Sequence, residues 1–187
     1  MNKGIIMSND VVKNIQEFIG GYKTGIVSFL STVNEYERST IRQVSTFVDF
    51  EKNWQVGTIG RHRDGDLKLK HLTKNPKATM HWVETNGNTI GPRWAVRNVW
   101  LHADVEIIKD EDIINQFLKK RLQAREQDHT SLEKAYERYL ILLHPVRLRA
   151  EGFAEFYREV LLINDFVNPT IRKANYRKGV MGSEEKA

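Results

Sequence analysis

Residues 99–107 constrain the fold more than any other part of the chain. Val99, Leu101, Ala103, Val105 and Ile107 alternate with Trp100, His102, Asp104 and Glu106. A period of two puts all five apolar side chains on one face. A helix would scatter them, so this is a strand of a sheet with one buried side. Similar runs surround it: Gly25–Val33, Ile41–Phe50, Trp54–Thr58, Ala78–Glu84, and Leu140–Leu143 continuing as Val146–Ala150 past a kink or bulge at Pro145. Polar stretches at 34–38 and 51–53 and a Gly/Asn loop at 85–92 separate several of them. Strands that follow one another without alternating helices favour an antiparallel sheet or barrel over a doubly wound fold. The expected class is mainly β (α+β) with six strands and flanking helices.

The helices are few. Residues 8–19 carry Val12, Ile15, Phe18 and Ile19 as a stripe and end at Gly20-Gly21. Lys68–Lys74 is a short helix stopped by Asn75-Pro76. Residues 110–125 start with Asp110, Glu111 and Asp112 and end with Lys119, Lys120 and Arg121, matching the helix dipole. Thr130 and Glu133 have capping-box spacing for a further helix, with Leu132, Ala135, Tyr136 and Tyr139 as its apolar face. No Pro/Ser/Gly-rich linker divides the 187 residues. The expectation is one domain over 1–166 and a basic tail over 167–187.

Composition removes several chemistries. There is no cysteine, which excludes disulfides, thiolate zinc sites and cysteine nucleophiles. The serines lack a nucleophile-elbow pattern, and the six histidines show no His-Glu-x-x-His spacing, so no metal site is expected. Gly57-Thr58-Ile59-Gly60 fits neither a Walker loop nor a dinucleotide turn. No apolar run nears the roughly 20 residues of a membrane helix, and no signal-peptide core is visible, so a cytoplasmic setting is expected. The net charge is +5, but residues 61–77 hold +4 and residues 168–187 hold +3, leaving a body of −2. That compact cluster suits a small anion and argues against nucleic acid. Arg42, Thr58 and Lys68 supply a guanidinium, a hydroxyl and an ammonium, the groups a phosphate needs. Their positions on a strand, a strand end and a helix start can bring them to one point.

The order of these elements resembles the pyridoxamine 5′-phosphate oxidase-like family of FMN-binding split barrels. The resemblance rests on Gly25–Leu30, Arg42-Gln43-Val44, Val56-Gly57-Thr58, Lys68 with Asn75-Pro76, Ala78–Trp82, and Arg97-Asn98-Val99 with Ala103, over roughly residues 9–153. It implies an antiparallel six-stranded split β-barrel that binds FMN at a homodimer interface. It further implies that Arg42 and Lys68 hold the phosphate, with Thr58 beside it. Gln43, Val44 and Ser45 would lie along the flavin ring, and Asn98 would reach that ring from the partner subunit. The implied activity is flavin-mediated hydride or electron transfer to a small-molecule substrate, with no catalytic residue assigned. Alternatives on the same barrel are a deazaflavin-dependent reductase and a non-catalytic flavin- or haem-binding module. The pattern departs at Asp66-Leu67, where Ser-Arg is usual, and in a longer 59–67 loop. The Arg-rich C-terminal segment that holds vitamin B6 substrates is not recognisable. Pyridoxamine phosphate is therefore not the expected substrate.

Overall fold

The computed structural model describes residues 6–21, 26–62, 65–85, 96–124, 137–153 and 160–173. Three helices, α1 (Ile6–Gly20), α2 (Leu67–Lys74) and α3 (Glu111–Ala124), flank nine strands. These are β1 (Ile26–Val33), β2 (Ser39–Val44), β3 (Thr46–Asp49), β4 (Gln55–Arg61), β5 (Lys77–Glu84), β6 (Asn98–Ile108), β7 (Arg138–Glu151), β8 (Val160–Ile163) and β9 (Arg172–Lys173). All are antiparallel, in the order β2-β1-β5-β6-β7-β4-β3, with β8 added on β7 and β9 on β8.

The two ends of that order are joined through a single residue. The expected strand 41–50 breaks at Ser45: its first arm, β2, pairs with β1, and its second, β3, pairs with β4. Counted as one bent strand, β2 and β3 complete a six-stranded ring with β1, β5, β6, β7 and β4. At the corner, backbone carbonyls leave the ladder and side chains take them up. Ser28 Oγ donates to Val44 O at 2.7 Å, and Thr58 Oγ1 donates to Ser45 O at 2.9 Å. A buried carbonyl without a donor would be costly. Phe50–Lys52 then forms a 3₁₀ turn, and Asn53 and Trp54 adopt positive φ to start β4.

Strand alternation divides the barrel wall into two faces. Leu30, Met80, Leu101, Leu148 and Ile163 are cross-strand neighbours on the inner face and are essentially fully buried. One residue along, Gln43, Phe29, His81, Trp100 and Arg149 are neighbours on the outer face. α1 closes one side of the core through Val12, Ile15, Phe18 and Ile19. α3 lies outside the wall, where Ile114 and Leu118 pack on Leu140. β7 runs unbroken past Pro145. The register shifts between His102 and Ala103, and the bulge leaves Val146 half exposed.

Two expectations need correction. Tyr139 is not on a helix. It lies in β7, fully buried against the barrel core. The aromatic-plus-aliphatic run Tyr139–Leu143 suits a pleated, buried strand as well as it suits a helical stripe. The remainder of the proposed 130–139 helix lies almost wholly outside the described residues, as do Gly25 and the 86–92 part of the loop. Second, the sheet continues beyond the strand read as Leu140–Leu143 and Val146–Ala150, the last one expected from the sequence. Leu148–Glu151 pairs with β8, and Arg172–Lys173, in the segment read as tail, pairs with β8 in turn. Val160-Leu161-Leu162-Ile163 is a short continuous apolar run, the pattern of a strand buried on both sides.

Candidate functional site

The site forms where β2, β4, β7 and the start of α2 meet. β2 alternates exposed and half-buried positions, so Arg42 takes the inner face with Leu30 beside it, and Gln43 the outer face. β4 passes Gly60 directly opposite Tyr139 on β7. A Cβ at Gly60 would lie 2.1 Å from the Tyr139 ring, so only a bare Cα lets the ring lie flat there. Lys68 Nζ stands 5.8 Å from the centre of the same ring. The Arg42 charge also acts on the Tyr139 hydroxyl. Two of the predicted phosphate ligands therefore converge on Tyr139, a residue for which sequence reasoning assigned no site role. No sequence pattern marks it; only the register of β7 against β4 does.

Asp66 closes the cluster. It caps α2, accepting from Lys68 N at 3.0 Å and Leu69 N at 3.4 Å. Its second oxygen accepts a hydrogen bond from the Tyr139 hydroxyl. Burial pushes the Tyr139 phenol up, and the hydrogen bond to Asp66 and the Asp66 charge push it further, against the Arg42 charge. Burial works to raise the Asp66 carboxyl. The Tyr139 hydrogen bond, the cap N–H groups and Lys68 outweigh that and hold it below its ordinary value of 3.8. The signs give a testable pH dependence. A lowered carboxyl stabilises the fold above about pH 4, and this contribution is lost as pH falls through its folded value. A raised phenol stabilises it below about pH 10 and is lost above. Urea unfolding of wild type and Asp66→Asn should differ most at neutral pH and converge as pH falls below the ordinary carboxylate range. Tyr139→Phe should flatten the loss of stability above pH 10.

The other predicted residues fall elsewhere around the corner. Thr58 is 2% exposed and its hydroxyl holds Ser45 O. Val44 packs on the core. Ser45 is exposed, and its Oγ accepts from Arg121 of α3 at 3.0 Å. Gln43 lies on the outer face beside Phe29. Asn98 sits at the other end of β6. Its side chain donates to Val96 O at 2.9 Å and meets His81 Nε2 at 3.1 Å. The ladder from Asn98–Glu151 to Ile108–Leu140 spans ten residue steps, roughly 30 Å of strand. Asn98 and the Tyr139 cluster are thus at opposite ends of one protomer.

The outer face carries a stacked row. His81 lies parallel to Trp100 at 4.8 Å between ring centres, with Phe29 on one side and Arg149 over Trp100 at 5.3 Å on the other. Arg149 is ion-paired with Glu151. Burial, then the charges of Arg147 and Arg149, lowers the His102 imidazolium's stability, favouring the neutral ring. Ile41 on β2 is 66% exposed. Of the tryptophans, Trp54 and Trp82 are core residues, Trp100 is in this row, and Trp94 lies outside the described residues, as does Arg93. Arg97 is a rim charge bonded to Glu84 at 2.6 Å. Among the described residues no group of acidic or histidine side chains could hold a metal, and no helix is long and apolar enough to cross a membrane.

This architecture is an antiparallel split β-barrel. The chain is similar to a pyridoxamine 5′-phosphate oxidase-related, FMN-binding protein from Nostoc punctiforme, with a TM-score of 0.58 at 15% identity, over 90% of this chain and 96% of that one. It is similar to ChuZ from Campylobacter jejuni, with a TM-score of 0.66 at 12% identity, over 87% of this chain and 62% of that one. An F420 reductase matches with a TM-score of 0.51 at 14% identity, over 71% of this chain and 94% of that one. No protein-family model and no curated protein matches the chain. At these identities the likeness establishes the fold.

Proposed function

We propose that the chain binds a flavin-type cofactor, FMN or a deazaflavin, at the interface of a homodimer and serves as a flavin-dependent oxidoreductase for a small-molecule substrate. The observation that carries the reading is that Lys68 stands over the Tyr139 ring while the Arg42 charge acts on the Tyr139 hydroxyl. Two cations are the donor set that anchors a phosphate-bearing tail. Arg42 and Lys68 would hold that tail, and Gln43, Val44 and Ser45 would lie along the ring. Thr58 would act through the Ser45 corner, which its hydroxyl holds. A bound flavin supplies the hydride or electron chemistry itself; the protein supplies the anchor, the slot and the hydrogen bonds around the ring.

The dimer is supported by two features. Asn98 lies too far from Lys68 to serve the same cofactor within one protomer, so it would act in the partner's site. The stacked outer row, with exposed Ile41, offers the second copy a mixed aromatic face. The test is a visible absorption titration with FMN and with a deazaflavin, alongside light scattering for mass. One cofactor per chain and a dimeric mass are expected, with Asn98→Ala weakening binding without changing the mass. A chain that binds neither cofactor would overturn the reading.

A further inference from the structure

The Asn98 carboxamide is held in one orientation. Its Nδ2 lies 2.9 Å from Val96 O, and a backbone carbonyl can only accept. The amide nitrogen therefore faces Val96, and Oδ1 faces His81 Nε2 at 3.1 Å. An amide oxygen can only accept as well. His81 Nε2 must then carry a hydrogen, whether the ring is neutral or charged. A half-turn of the carboxamide would set oxygen against oxygen at Val96 and hydrogen against hydrogen at His81. The register brings the two residues together. Asn98 pairs with Val83 and Trp100 with His81, so His81 and Asn98 are diagonal neighbours on the outer face. The imidazole lies within 4° of the Trp100 plane at 4.8 Å, with the Phe29 ring tilted towards it at 6.3 Å. That packing fixes the plane of the ring, and with it the line along which Nε2–H points.

Half of the amide is thereby spent. Among the described residues, its second N–H and the second lone pair of Oδ1 meet no other partner. Resting on the flavin reading above, we propose that His81 is a positioning residue for the cofactor ring. Through Nε2–H it holds Asn98 in the one orientation whose remaining donor and acceptor serve the partner's site. A flavin ring carries N–H and C=O groups in a fixed order along its edge. A reversed amide would set donor against donor there, and His81 and Val96 together prevent the reversal. His81 would not touch the cofactor. Its effect passes through Asn98.

Two substitutions separate the hydrogen bond from the stack. His81→Phe keeps a flat ring against Trp100 and removes the donor. His81→Gln removes the ring and returns an N–H at similar reach. In titrations read by flavin absorption, His81→Phe should weaken FMN and riboflavin alike, by roughly 3- to 10-fold. The bound flavin's absorption band should shift with it, and His81→Gln should recover most of both changes. In an Asn98→Ala background, His81→Phe should add almost nothing. Loss in His81→Gln but not in His81→Phe would make His81 a packing residue and overturn the proposal. An equal effect of His81→Phe with and without Asn98 would also overturn it, as would a change of mass by light scattering in both variants. If wild type binds neither FMN nor a deazaflavin, the flavin reading fails by itself. Imidazole nitrogen NMR of the free protein then decides the clamp. A hydrogen on His81 Nε2 whose signal moves in Asn98→Ala supports it. A bare Nε2, or a signal indifferent to Asn98, overturns it.

Discussion

Replacing Arg42 and Lys68 together by alanine should abolish measurable binding of a phosphate-bearing flavin while leaving riboflavin affinity within about threefold. Each cation that hydrogen-bonds a phosphate contributes about 1.5–3 kcal/mol, so each single substitution should weaken binding roughly 10- to 100-fold. Arg42 is half-buried on the inner face of β2, and Lys68 is the second residue of α2. Neither is part of the apolar core, so both single variants and the double should retain the wild-type melting temperature to within a few degrees. Fluorescence titration with FMN and riboflavin, paired with thermal melting, measures both quantities. Equal loss of both flavins would mean that these side chains shape the ring slot and do not hold the tail.

The second large effect concerns Gly60. Gly60→Val would drive methyl groups into the space of the Tyr139 ring, where even a Cβ is 2.1 Å from a ring carbon. The ring cannot retreat easily, because it is fully buried and its hydroxyl is tied to Asp66. Overpacking of this kind costs about 1–3 kcal/mol, and a chain of this length loses about 2–4 °C for each kcal/mol. A fall in melting temperature of between about 2 and 12 °C is expected. Ultraviolet titration should show a tyrosine returning toward ordinary ionisation as the Asp66 hydrogen bond breaks. Stability and phenol ionisation should therefore change together in Gly60→Val. In Tyr139→Phe the high phenol is lost outright, without the steric clash.

Most of the barrel was legible because its strands obey one period. The 99–107 alternation appears in the structure as β6, and the flanking runs appear as β1, β4, β5 and β7 with ends shifted by a few residues. The kink at Pro145 appears as a bulge opposite His102 and Ala103. What local patterns do not encode is how the sheet ends meet. Ile41–Phe50 reads as one strand, and only tertiary pairing shows that Ser45 turns it from β1 to β4. Arg42 and Lys68 were legible as cations at a strand and a helix start. Tyr139 was not, because its role depends on lying across from a glycine 79 positions earlier. Asp66 was visible only as a departure from a pattern. That its carboxylate turns back onto its own helix requires the cap geometry.

The corner at Ser45 also governs what this chain shows to other chains. An open β-sheet ends in two rows of unsatisfied backbone groups, each a template for a stranger's strand. Here the strand at one end runs straight into the strand at the other, and the hydroxyls of Ser28 and Thr58 fasten the junction from both sides. A nick at this peptide would remove no side chain from the core. It would nonetheless turn a hoop into a ribbon with two loose selvedges, and the penalty would fall on solubility before it fell on packing.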